Sequence, residues 1–224
     1  MMLRYRMYCT VARWQLNVIR AGLIGLLCLP LGPAPTRAQD APPTGSIEAC
    51  LAPHGEREQY LAGLIATGWR DLPPDGRDAA LAMLADAYLP VTGQIDGTWA
   101  DHLANRESAL IFWTDLAQNR TLMQREGFVL LLAGFRDDDD KMRVECWTAG
   151  PVSPVTDDFF ALIGAVYQSE GVTMTQVNLP ATDDRPATEL FVSRLTPPLA
   201  VDPPLAATDG LRTRIVFAMQ EGAR

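Results

Sequence analysis

Few residues in this chain are of a type that does chemistry, and their spacing decides how far each can be taken. Two histidines, His54 and His102, are the natural proton carriers at neutral pH. His54 stands four residues after Cys50 in a turn that holds proline and glycine, and a Cys50 thiolate activated by His54 needs a thiol that no disulfide has consumed. His102 stands beside Asp101 at the start of an amphipathic stretch, where, joined by carboxylates from elsewhere in the chain, it is the handle for a hydrolase. Neither histidine belongs to a His-x-x-x-His or Cys-x-x-Cys element, so no metal ligation and no cofactor are expected. The run Asp137, Asp138, Asp139 and Asp140 has the oxygen ligands a hard cation wants. It lacks the alternating ligands, the central glycine and the closing glutamate of a calcium loop, and reads as a solvated turn. No Gly-x-Ser-x-Gly elbow, phosphate loop or dinucleotide fingerprint occurs.

A more specific pattern comes from alternation. From Met142 to Thr148 the side chains take turns, with Met142, Val144 and Cys146 on one face and Arg143, Glu145 and Trp147 on the other. Leu211 to Met219 alternates in the same way and sets Arg212 and Arg214 on one face. With helices over the Cys146 face, Trp147 is expected on an open sheet face together with Arg143, Arg212 and Arg214. Such a patch suits an anionic ligand or a partner protein.

The elements that carry these residues follow from periodicity. Helical spacing is read at Glu56–Gly68, Asp78–Leu89 and Thr98–Gln118, and again in an apolar band from Phe159 to Tyr167 that Gly171 ends. The unbroken apolar run from Gly127 to Phe135 fits a central strand, and Arg136–Lys141 turns it into the Met142–Thr148 strand. Further strands are read at Val172–Leu179, Thr188–Leu195 and Leu211–Met219. The expected fold is α+β, an antiparallel sheet of about five strands packed against three or four helices that back one face.

The first 38 residues hold five of the 19 basic residues and none of the 27 acidic ones. Arg4, Arg6, Arg13 and Arg20 lead into an apolar stretch from Ala21 to Leu31, and Thr36, Arg37 and Ala38 precede a plausible cut. This is the layout of a cleaved export signal, and the apolar stretch is roughly half the ~20 residues of a membrane-crossing helix. Leu27 before Cys28 does not suit a lipoprotein signal. The expected organisation is a signal peptide over 1–38, a flexible lead-in over 39–46 and one α+β domain over 47–224. The expected location is the periplasm, with secretion or membrane association as alternatives.

Without the leader's five basic residues, 14 remain against 27 acidic, a formal charge of −13. One lysine, Lys141, and no basic cluster exclude a nucleic-acid role. Cys50 and Cys146 are the cysteines that remain, and their pairing would close a loop of about 95 residues. Otherwise Cys146 is a small buried hydrophobe and Cys50 a loosely placed thiol. The sequence thus points to an exported soluble protein, most simply a non-catalytic binding or accessory protein, with a periplasmic hydrolase as the alternative. Its expected partners are another exported protein or a small anionic ligand.

Overall fold

A computed structural model describes residues 47–92, 98–136, 141–165, 167–169, 171–183, 185–198 and 205–218, all within one compact unit, Gln39–Arg224. The expected export signal, the lead-in and the Asp137–Asp140 run lie outside the described residues, as does Met219. The helices among the described residues are α1 (Arg57–Ala66), α2 (Arg77–Ala87), the single turn α3 (Leu89–Thr92), α4 (Trp99–Leu116) and α5 (Pro154–Ile163). The strands are β1 (Arg70–Asp71), β2 (Thr121–Arg125), β3 (Phe128–Arg136), β4 (Lys141–Pro151), β5 (Tyr167–Ser169), β6 (Val172–Leu179), β7 (Thr188–Leu195) and β8 (Thr208–Ala218).

The class is α+β with an antiparallel sheet, but the sheet has eight strands where about five were expected. Their order is β1-β2-β3-β4-β8-β7-β6-β5. Three short strands account for the difference. β2 joins β3 through Glu126 and Gly127, both at positive φ (49° and 84°), which is the backbone a tight two-residue hairpin requires. β5 is cut from what read as the end of a helix: α5 stops at Ile163, with Gly164 as its C-cap, and the chain then pairs with β6.

Helical and 3-10 segments lie on both faces of this sheet, not on one. On the Cys146 face, the 3-10 turn Glu48–Leu51 and α1 bring Ile47, Cys50, Tyr60 and Leu64 against Leu130, Leu132, Val144 and Ile215. The disulfide Cys50–Cys146, with Cα atoms 6.1 Å apart, fixes that turn to β4. On the opposite face α2 and α4 set Leu81, Leu84, Tyr88 and Trp113 against Leu131, Trp147, Phe191 and Leu195. Residues 80, 81, 84, 85 and 87 of α2 are buried, the apolar stripe of a helix laid on a sheet. Thr98 starts α4 through a capping box: the Asp101 amide N–H donates to its hydroxyl, and the Thr98 N–H donates back to the Asp101 carboxylate at 2.8 Å. α5 rests on the Cys146 face over β7 and β6, held there by Arg194. That guanidinium donates to buried Asp209 (2.7 and 2.9 Å), to Asp157 of α5 and to the Ser153 carbonyl, and lies over the Phe160 ring.

Candidate functional site

Strand register assembles the charged face. Trp147 pairs with Arg212 and Glu145 with Arg214 across β4 and β8, while Arg212 pairs with Phe191 and Arg214 with Glu189 across β8 and β7. Directly opposed residues in an antiparallel pair share a face. Arg143, Glu145, Trp147, Arg212, Arg214, Phe191 and Glu189 therefore stand together, drawn from three adjacent strands.

The expectation that all of this face is open is corrected. α2 and α4 cover it as far as the row of Trp147, Arg212 and Phe191, so Trp147 is only 8% exposed. Its indole meets the Tyr88 ring at 5.1 Å and the Trp113 ring at 5.0 Å, both edge-on, and Tyr88 donates its own hydroxyl to the Thr148 carbonyl at 2.9 Å. Burial pushes the Tyr88 phenol well above its ordinary pKa, against smaller opposing effects of Arg212 and of the Thr148 contact, so it stays a neutral donor. Trp147 is thus the floor where the helix layer ends, not an exposed contact.

Beyond that row the face is polar. Glu189 accepts from Arg212 and from Arg214, and its side chain is 10% exposed. Glu145 accepts from the Trp147 indole N–H at 3.1 Å and lies 3.8 Å from the Arg143 guanidinium. Arg212 is sandwiched, its guanidinium carbon 4.9 Å from the Trp147 ring and 5.6 Å from the Phe191 ring, a geometry in which cation–π attraction holds it rigid. Its Nε meets no hydrogen-bond partner among the described residues. Arg143 and Arg214 keep 35% and 36% of their side chains open to solvent. Gln176 and Asn178 of β6, opposite Phe191 and Glu189, extend the face with exposed amides.

Chemically, three guanidiniums stand over two carboxylates. A guanidinium carries more N–H donors than a carboxylate has oxygens. Both glutamates are engaged by cations or the indole, which fits them to position arginines. Sequence alternation places Arg143, Trp147, Arg212 and Arg214 on this face. Glu189 is missed, because nothing local to β7 shows that it lies beside β8.

The remaining candidates lie elsewhere. His102 is 1% exposed, its ring edge-on to Trp99 at 5.9 Å, and neither imidazole nitrogen meets a partner among the described residues. Burial lowers its pKa, and Asp101 offsets this in part. The His54 ring packs edge-on against Tyr60 at 4.8 Å, with its backbone N–H donating to the Tyr60 hydroxyl at 2.9 Å, while Cys50 is consumed by the disulfide. Among the described residues no three His, Cys, Asp or Glu side chains converge as a metal site would need, and no helix is long and apolar enough to cross a membrane.

Concave regions avoid the arginines. A cavity of about 100 Å³ on the Cys146 face is lined by Ile47, Trp69, Phe128, Val155, Asp209 and Leu211. A shallow groove of about 720 Å³ runs beside β1 between Leu72, Met83 and Gln124. The cavities just described do not include Arg143, Arg212 or Arg214 in their lining.

Comparisons with known proteins add little chemistry. No protein-family profile matches the chain, and no solved structure matches it. An uncharacterized protein of Saccharomyces cerevisiae, YLL044W, is 38% identical over 56 residues, which are 24% of this chain and 35% of that protein. The chain thus spans about a third of the length of the curated relative it matches, whose name states no activity.

Proposed function

We propose that this chain is an exported, non-catalytic binding protein, and that the end of the sheet bearing Arg143, Arg212 and Arg214 takes a carboxylate or phosphate group. The supporting observation is the gathering of three arginines on one sheet face, two of them held by the same carboxylate, Glu189. Glu189 holds Arg212 and Arg214 at a fixed spacing while Arg143 and Arg214 stay about one third exposed. Preorganised arginines lose little freedom on binding, and a planar anion can take two parallel N–H bonds from one guanidinium.

Citrate and inorganic phosphate serve as probes in calorimetric titrations of the mature chain. R214A is expected to weaken whichever probe binds by about tenfold, the loss of one charge-assisted hydrogen-bond pair, with an unchanged far-UV circular dichroism spectrum. Equal affinity in wild type and R214A overturns the assignment.

A further inference from the structure

One edge of the sheet is guarded and the other is not. At the β2 side, β1 supplies two charged, exposed residues, Arg70 and Asp71, and the Leu72 N–H closes onto the Leu122 carbonyl at 3.0 Å. At the other side β5 pairs only with Val172–Met174 of β6. Thr175–Leu179 therefore has β7 along one side and, among the described residues, no strand along the other; Thr175 is 1% exposed, and the stretch that reaches solvent is Gln176–Leu179. Gly164 and Ala165, between α5 and β5, belong to no strand, and the pairs of β5 begin at Tyr167, opposite Met174.

An open edge presents unpaired N–H and C=O groups, and proteins that have no use for it interrupt it with lysine, proline, an inward charge or a bulge. Thr175, Gln176, Val177, Asn178 and Leu179 include none of these residue types, and they pair in unbroken register with Thr188–Val192. Pro180 comes only after the strand has ended. We infer that Gln176–Leu179 is a docking edge at which an extended segment of a partner protein adds a further strand.

The surroundings define that segment. Gln176 and Asn178 are exposed on the face that carries the arginines, so alternate residues of the added strand meet amides there and are polar. Thr175, Val177 and Leu179 share the other face with Val192 and Leu190, the face on which α5 lies. There α5 leaves Leu162 83% exposed, so apolar, β-branched residues on that side of the added strand extend an existing apolar surface. The docking positions carry no charge, while the mature chain has a formal charge of −13, so basic flanks would be drawn towards it. A second copy of the chain fits less well. Self-pairing would bring two strongly acidic molecules together, where a basic segment is attracted.

The probe is a capped peptide of sequence Lys-Lys-Thr-Val-Thr-Val-Thr-Lys-Lys, added to the mature chain and followed by residue-resolved amide hydrogen exchange. At saturation the outward-facing amides within 176–179 are expected to exchange at least tenfold more slowly. The same peptide N-methylated at alternate residues is expected to give no protection, and R214A is expected to leave the effect unchanged, which separates this edge from the arginine face. Absence of binding at millimolar peptide overturns the inference, as does protection confined to other residues or equal protection by the N-methylated peptide. Protection that depends on protein concentration without peptide assigns the edge to a second copy and overturns it too.

Discussion

At residue scale His102 and Trp147 are both buried, and each burial has a measurable signature. His102 is buried without a hydrogen-bond partner among the described residues, and its pKa lies below the ordinary value because desolvation disfavours the imidazolium. As pH falls below about 6.5 the unfolded chain takes up a proton that the folded chain resists, so stability is full above that pH, declines through it, and levels off once the folded imidazole also protonates. Urea unfolding at pH 7.5 and 5.5 should therefore show a larger loss of stability in the wild type than in H102Q. Equal losses would mean that the imidazole is not shielded as described. Trp147 closes the aromatic group formed with Tyr88, Trp113 and Phe191, so W147A should cost about 3–5 kcal/mol of stability and cannot serve as a clean binding probe. The arginine face was legible in the sequence because strand alternation alone sorts Arg143, Arg212 and Arg214. Its glutamate was not, since Glu189 reaches Arg212 and Arg214 only through the β7–β8 register.

At the scale of elements, legibility tracks length and periodicity. The stripe of α2, the apolar run of β3 and the alternation of β4 and β8 are long enough for burial to impose a pattern, and all four form where the sequence places them, within a few residues. The strands β1, β2 and β5 span two, five and three residues, and their existence is decided by neighbours rather than by their own side chains. β5 was hidden because Phe159 to Tyr167 continues apolar past the point where α5 ends at Ile163. Gly171 does not stop a helix; it turns β5 into β6 with φ of 73°, and a β-carbon there would lie 2.5 Å from both the Thr196 carbonyl oxygen and the Trp99 ring. G171A is thus expected to lower stability by roughly 1–3 kcal/mol, from backbone strain together with displacement of Trp99. Thermal unfolding measures it, and a change within about 0.5 kcal/mol would contradict the packing described.

For the whole molecule, strand order decides what remains available for binding. Among the described residues, helical cover on both faces leaves one polar end of one face, across β4, β8 and β7, and one stretch of edge, on β6. The disulfide belongs to the other half, where it ties the chain near its first described residue to β4 across a separation of 96 residues. In the chain-entropy account that link contributes at most about 4–5 kcal/mol, so the C50A/C146A double variant should unfold at markedly lower denaturant, and an unchanged midpoint would show the link to be dispensable. Binding of an anionic group at Arg143, Arg212 and Arg214 is read most directly from the arginine Nε–Hε signals in a nitrogen-15 NMR titration with citrate and phosphate. The signals of Arg143, Arg212 and Arg214 should shift together and saturably while those of Arg106 and Arg194, which are engaged by Asp86 and by Asp157 and Asp209, stay in place. If the three remain unmoved, or if Arg106 and Arg194 move instead, the sheet face is not the binding surface.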